Sequence, residues 1–336
     1  MGITVHKPGL LTTVQDLGRY GYQKQGVIVG GAMDKLALRL ANLLLGNEKN
    51  AAALEITQQG PELAFEQETL IALGGADLSA SINGERVYLW RPVLVKAGSV
   101  LSFGKPLVGN YAYLAVAGGL AVPEVIGSRA TYLRAGIGGL EGRALRSGDV
   151  LHAGEPNELN RLVLSRLLLR DEQTAFTVAS WFPEPELLPT YKPNPVLRAL
   201  RGSEYTLFTE NSQNYIWNEK FSVTIQSDRM GLRLQGAILA LEQEAELLST
   251  AVSFGAVQVP AEGSPIVLMA DSQTTGGYPH IAQVISADLP QLAQVQPTKT
   301  IRFEEVTLEE AQRLYIQQEQ NISGLKQAIY HKLHKV

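Results

Sequence analysis

Cysteine is absent from the 336 residues, which excludes disulfides, thiolate catalysis and cysteine-ligated zinc. An excess of basic charge is missing too. The chain has 29 lysines and arginines against 33 aspartates and glutamates, a net charge of −4 and a pI near 5.8. Neither a nucleic acid nor an anionic membrane surface is therefore an expected partner. No apolar run reaches the ~20 residues that cross a bilayer, and no apolar segment follows a basic start at the N-terminus. A cytoplasmic location is the expectation. The Gly-Lys-Ser/Thr ending of a P-loop occurs nowhere. His331 and His334 lack a third ligand, so no metal site is expected there.

The apolar fraction of 45% describes a globular chain too long for one ordinary core, and two domains are expected. From Ala52 to Leu151 short apolar segments alternate with turns, a β pattern. Asn83-Gly84 between strand-like arms is a strong hairpin signal. Val95-Lys96-Ala97-Gly98-Ser99-Val100-Leu101 is echoed by Leu145-Arg146-Ser147-Gly148-Asp149-Val150-Leu151, one turn-plus-strand unit used twice. Met33 to Leu45 reads as a helix, with Leu36, Leu40, Leu43 and Leu44 on one stripe, Asp34 at its start and Gly46-Asn47 at its stop. Pro183, Pro185, Pro189, Pro193 and Pro195 crowd the expected join between domains. Val196 to Phe208 reads as a strand pair around Arg201-Gly202, and Phe221 to Ile225 alternates like a half-buried strand. The expected division is a first β domain over 1–185, a second over 195–306, and a helical tail over 307–336.

Two polar bends follow strand-like segments. The first, Ser227-Asp228-Arg229-Met230-Gly231-Leu232-Arg233, places one carboxylate beside two guanidiniums, whose planar forks suit a carboxylate or phosphate. It reads equally as an ion-pair knot that pins a loop. The second is Asp271-Ser272-Gln273-Thr274-Thr275-Gly276-Gly277-Tyr278-Pro279, just past the apolar run Ile266–Ala270. Asp271 suits an acid, a base or a metal ligand, and Gln273, Thr274 and Thr275 suit hydrogen bonding to a small polar ligand. A plain polar hairpin loop has the same composition. Asp16 and Arg19 form either a site wall or a local pair that fixes a loop. Arg129 and Thr131 are further candidates for ligand contact, ahead of the glycine-rich stretch Gly136, Gly138, Gly139 and Gly142.

Gln15-Asp16-Leu17-Gly18-Arg19, Gly31-Ala32-Met33-Asp34, Ala41-Asn42, Gly46-Asn47, Ala117-Gly118-Gly119 and Gly127-Ser128-Arg129-Ala130-Thr131 together resemble one known family. So do Ser227-Asp228-Arg229-Met230-Gly231, Gln258-Val259-Pro260 and the bend from Asp271 to Pro279. It is the biotin-dependent carboxyltransferase or allophanate-hydrolase-subunit-2 family, whose bacterial members include a KipA-like component of the 5-oxoprolinase complex. The resemblance runs from about residue 3 to about residue 304. It departs at Gln296-Pro297-Thr298-Lys299, where the family usually has Pro-Gly.

The resemblance implies a mainly β fold with some α, as two cyclophilin-like β-barrel domains. It implies an ATP-hydrolysing amidase on a cyclic amide, 5-oxoproline, working only in a complex with a KipI-like B subunit and a third protein, the A subunit. ATP, with magnesium, would act at the level of that complex. In this reading Asp271, Asp228 and Gln273 are catalytic, while Arg229, Arg233, Thr274, Thr275, Tyr278 and Arg129 bind substrate. One alternative is half of a biotin-dependent carboxyltransferase acting on urea or a related amide. No biotin is expected on this chain, because Ala32-Met33-Asp34-Lys35 is only a superficial likeness of the Met-Lys-Met attachment sequence. The other alternative is a non-catalytic regulatory partner that sequesters a homologue of the KipI-like B subunit.

Overall fold

The computed structural model describes residues 2–169, 174–243 and 247–334, so the last two residues of the expected tail lie outside it. The chain is mainly β with a few helices. It divides into two compact units. One is Met1–Gly18, Asp34–Pro189 and Gln320–Val336; the other is Arg19–Met33 and Thr190–Glu319. The change-over between Pro189 and Thr190 falls within the proline-rich stretch.

The first unit holds two six-stranded antiparallel sheets. One runs in the order Val150–His152, Gly2–Lys7, Glu62–Phe65, Val100–Ser102, Ser81–Ile82, Glu85–Arg86. The other runs Phe176–Val178, Pro92–Val95, Thr69–Asp77, Val108–Val116, Ala53–Thr57, Leu11–Gln15. Ile3, Val5, Leu54, Ile56, Leu73, Val93, Leu101 and Leu114, drawn from both sheets, belong to one buried cluster. The Asn83-Gly84 hairpin forms as expected. Both residues have positive φ, and Ser81 pairs with Arg86 across the turn. The two echoed segments also form as turn plus strand in one sheet, with Gly98 and Gly148 in the left-handed region.

The helix expected from Met33 runs Lys35–Leu45. Asp34 accepts the Ala37 N–H at 2.9 Å as its N-cap, and Gly46 ends it in the left-handed conformation. Asn42 and Asn47 are buried connectors. Asn47 donates to Asn42 Oδ1 and to the Val116 carbonyl, and its own Oδ1 accepts from Asn160.

The second unit is built on a closed seven-stranded barrel. Its order is Val196–Arg201, His280–Val284, Ala256–Gln258, Ile266–Leu268, Gly231–Gln235, Phe221–Val223, Thr300–Glu305. The last strand closes the ring by pairing in parallel with the first. Leu197, Ala199, Phe221, Val223, Leu232, Leu234, Val257, Val267, Ile281 and Phe303 are buried. The alternation expected of a barrel strand is visible at Gly231–Gln235, where Leu232 and Leu234 are buried while Arg233 and Gln235 are exposed. The strand pair expected from Val196 to Phe208 is instead one strand followed by a 3-10 turn, Tyr205–Leu207. Just past the strand Gly202 packs against the carbonyl of His280, with no room there for a side chain. A two-stranded ribbon pairs Thr250–Ala251 with Thr275–Gly276. The final helix runs Leu308–His334, and among the described residues no helix is long and apolar enough to cross a membrane.

Candidate functional site

The two polar bends meet inside the second unit. Arg229 follows the barrel strand Phe221–Val223 and precedes Gly231–Gln235; Asp271 follows Ile266–Leu268, the strand paired with Gly231–Gln235. The sheet register therefore brings both bends to the same end of adjacent strands. The backbone ties them first, since Asp271 N donates to the Arg229 carbonyl at 2.8 Å and Met269 N to the Met230 carbonyl at 2.9 Å. The side chains then dock fork to fork. Arg229 Nε donates to Asp271 Oδ2 at 2.8 Å, and Arg229 Nη2 donates to Oδ1 at 3.0 Å. Arg229 is 7% exposed and Asp271 6%. Such a pair is charge-assisted and geometrically rigid.

The segment from Arg19 to Met33 completes the group. Arg229 Nη2 also donates to the Gly31 carbonyl at 2.6 Å, in the early piece of chain that groups with the second unit. Arg19 is fully buried and its backbone N–H donates to the Val29 carbonyl at 2.8 Å. Gly30 and Gly31 both have positive φ, at 60° and 81°. A Cβ on Gly30 would stand 3.6 Å from Arg19 Nη1 and 3.6 Å from Asp271 Oδ1. The Arg19 guanidinium and the Asp271 carboxylate thus border Gly30, while the Arg229 guanidinium meets the carbonyl of Gly31. Arginine stays charged in any protein environment and offers paired donors to planar anions; here the Nε–Nη2 edge of Arg229 is engaged by the Asp271 carboxylate.

The other candidates occupy different settings. Asp228 is exposed and its Oδ1 accepts the N–H groups of Met230 at 2.8 Å and Gly231 at 3.2 Å, holding the turn that presents Arg229. Arg233 is exposed on the outward face of its strand. Gln273 and Thr275 are exposed and Thr274 half-buried on the ribbon that leaves Asp271, and Tyr278 at its end is 51% exposed. Arg129 lies in the first unit, paired with Glu124 at 3.3 Å. Asp16, also in the first unit, accepts hydrogen bonds from Gly18 N, Ser128 Oγ and Arg129 N at 2.8, 2.7 and 2.6 Å. It staples a loop. Thr131 is buried and its hydroxyl donates to the Val14 carbonyl at 2.9 Å. The nearby glycines serve close packing: Gly139 abuts the Thr131 side chain, and Gly142 the carbonyl of Gly136.

A second polar group in the barrel, not singled out among the candidate residues, joins Gln258, His280 and Glu204. Gln258 Nε2 lies 3.0 Å from His280 Nε2, and Glu204 Oε2 accepts the His280 backbone N–H at 2.9 Å. Burial pushes the His280 pKa below its ordinary 6.5, while the Glu204 carboxylate works in the opposite direction. Gln258 stood in the motif Gln258-Val259-Pro260; Glu204 and His280 carried no local signal. Among the described residues no group of three or more histidine, aspartate or glutamate side chains is placed to hold a metal ion.

The model of the carboxyltransferase domain, subdomains A and B, matches residues 25–305. The final helix lies beyond that match. The chain is 43% identical over 303 residues to the C subunit of 5-oxoprolinase from Haemophilus influenzae, covering 90% of each chain. It is 43% identical over 309 residues to the C subunit of 5-oxoprolinase from Escherichia coli, covering 92% of this chain and 93% of that one. Among solved structures it resembles the urea amidolyase of K. lactis, with a TM-score of 0.85 and 33% identity. That match covers 96% of this chain and 20% of the larger protein.

Proposed function

We propose, for a chain that belongs to the carboxyltransferase domain family, that it is the C subunit of an ATP-dependent 5-oxoprolinase. In this reading it acts with a KipI-like B subunit in phosphorylating the lactam and with the A subunit in opening the ring to L-glutamate. The observation that carries it is the 43% identity along at least nine-tenths of both chains to two bacterial proteins of that name.

The chemistry sets requirements for the site. A five-membered lactam is a poor electrophile. Transfer of the γ-phosphoryl group from ATP to its amide oxygen forms an O–P bond as ADP leaves. Water then adds at the activated carbon, the C–N bond breaks with the ring nitrogen taking a proton, and a second water displaces inorganic phosphate from the resulting acyl phosphate to leave glutamate. The substrate's own carboxylate needs a cationic clamp, and the amide and phosphoryl oxygens need donors. Arg229, held by Asp271 and flanked by Arg19 and Gly30, is the clamp. Gln273, Thr274 and Thr275, on the ribbon that starts at Asp271, supply neutral donors, and Tyr278 closes that loop. Asp271 is the carboxylate of the reacting centre, with Asp228 fixing the turn beside it. Arg233 and Arg129, both reached by solvent, are cations that can draw in the anionic substrates. ATP, with its magnesium ion, is the co-substrate of the assembled complex. Glutamate release by the reconstituted complex is the test.

A second reading is favoured by the likeness to urea amidolyase, which extends over 96% of this chain. Here the chain is half of a carboxyltransferase, and biotin arrives on a separate carrier. Glutamate release from 5-oxoproline and carboxylation of urea, assayed side by side with the partner proteins, separate the two.

A further inference from the structure

Gln258 ends the strand Ala256–Gln258 and pairs directly with His280 on the neighbouring strand, at a register shift that follows Val257. It is 2% exposed. Its amide nitrogen carries only hydrogens, so at 3.0 Å it donates to His280 Nε2, which must accept. The ring proton then sits on Nδ1, the atom 3.9 Å from Glu204 Oε2. That same oxygen takes the His280 backbone N–H and the Ser203 hydroxyl, at 2.9 and 2.7 Å. The Gln258 amide donor thus sets the imidazole as one neutral tautomer, with the Glu204 carboxylate near Nδ1 but beyond hydrogen-bond reach.

Directly against the Gln258 carboxamide lies Gly276. A Cβ on Gly276 would fall 2.5 Å from Gln258 Nε2, so the bare glycine lets the carboxamide lie against this backbone and a side chain there would displace it. Gly276 belongs to the ribbon that leaves Asp271 and carries Gln273, Thr274 and Thr275, and it pairs with Thr250 on the other side. Pro279, a few residues on, is tied to the same strand as Gln258 by the Val259 N–H, at 3.0 Å.

We propose that Gln258 and His280 are positioning residues: neutral His280 orients the Gln258 carboxamide, and that carboxamide is the floor on which Gly276, and with it the donor-bearing loop, is set. Protonating His280 places N–H groups on both ring nitrogens, so the Nε2 proton would face the Gln258 NH2 group. Two donors cannot share that contact. Either the carboxamide turns over to offer its oxygen or the pair separates, and in both cases the support under Gly276 changes. Glu204 is the charged group that meets the ring from the turn before Tyr205–Leu207. Gln258 is neutral, and the ribbon from Gln273 to Gly277 brings no titratable side chain; Tyr278, beyond it, is exposed. The consequence for turnover rests on the functional reading above. The coupling of ring to ribbon does not.

The test is amide and imidazole NMR of the full chain alone, labelled with 15N, across the titration of His280. The Gly276 and Gly277 amide resonances move with the His280 ring at one shared midpoint below 6.5, and His280→Gln abolishes their movement. Gln258→Leu leaves the ring titrating but uncouples both glycines from it. Flat Gly276 and Gly277 resonances while the ring titrates, or unchanged coupling in Gln258→Leu, would overturn the proposal. In the assembled enzyme the acid limb of the pH profile for glutamate release follows that midpoint and disappears in His280→Gln. Coupled resonances with an unaltered profile would overturn the link to the reaction, whereas absence of any glutamate release by the wild-type complex would count against the functional reading instead.

Discussion

Arg229 and Asp271, 42 residues apart in the chain, share two hydrogen bonds in one buried ion pair, with the Gly31 carbonyl accepting a third from the same guanidinium. Removing one member of such a pair leaves the other charge buried without its counter-charge. Asp271→Asn keeps the shape and removes the charge, and it lowers stability by about 3 kcal/mol. The double variant Arg229→Met/Asp271→Leu recovers part of that loss, because no buried charge remains, while the Gly31 carbonyl loses the donor it had in Arg229. Denaturant midpoints of the three proteins read the comparison.

Gly30→Ala tests the glycine between the two charged groups. At 3.6 Å from both Arg19 Nη1 and Asp271 Oδ1 the added methyl makes ordinary contact rather than a clash. The positive φ of 60° costs about 1 kcal/mol for a residue with a Cβ. The protein therefore stays folded, while the methyl stands against the Arg19 guanidinium and the Asp271 carboxylate, the groups that flank the clamp in the functional reading. The expected result is a raised KM for 5-oxoproline with a melting temperature lowered by a few degrees at most.

The parts legible in the sequence were those fixed by neighbours in the chain. Asn83-Gly84 made its hairpin because both residues accept positive φ, and Asp34 with Gly46 bounded a helix because capping is local. The meeting of Arg229 with Asp271 followed from two strands ending in polar bends, although only the barrel register made them adjacent. What stayed hidden depends on distant chain. Arg19–Met33 groups with the barrel unit, and Arg229 reaches across 198 positions to Gly31. The ribbon strand Thr275–Gly276 is two residues long, too short for any periodicity. His280 gained its setting from Glu204, 76 positions away. In the glycine-rich stretch at 136–142, ranked behind Arg129 and Thr131 for ligand contact, Gly139 and Gly142 are needed where the chain packs on itself.

Tyr113 bridges two buried acidic residues in the first unit. Its hydroxyl donates to Glu55 Oε2 at 2.7 Å and accepts the Asp34 backbone N–H at 2.7 Å. Burial, and then the Glu55 and Asp34 charges, push the phenol well above its ordinary pKa, so it stays protonated as a donor. Tyr113→Phe keeps the ring and removes the bridge. A loss of about 1–3 kcal/mol in stability is expected, read from thermal or denaturant unfolding. Glutamate release per folded molecule is unchanged, because the residue takes no part in the chemistry assigned to the second unit.

The Arg143 guanidinium, followed by the Arg146 backbone N–H, holds the Asp149 carboxyl below its ordinary 3.8. The folded pKa is depressed, so the stabilisation is fully present above about 3.8 and is lost as the pH falls toward the folded value. Arg143→Gln is therefore less stable than the wild type at neutral pH, and the gap narrows below pH 4. Melting temperatures taken from pH 7 down to pH 3 give both curves. A gap independent of pH would mean that Arg143 acts through packing.

The most direct measurement is ATP-dependent glutamate release from 5-oxoproline by the chain reconstituted with its A and B partners, comparing wild type with the folded Arg229→Met/Asp271→Leu variant. The wild-type complex releases glutamate in step with ADP, and the double variant co-elutes with the KipI-like partner on gel filtration yet loses about 100-fold in turnover. Wild-type turnover in that variant would contradict the account.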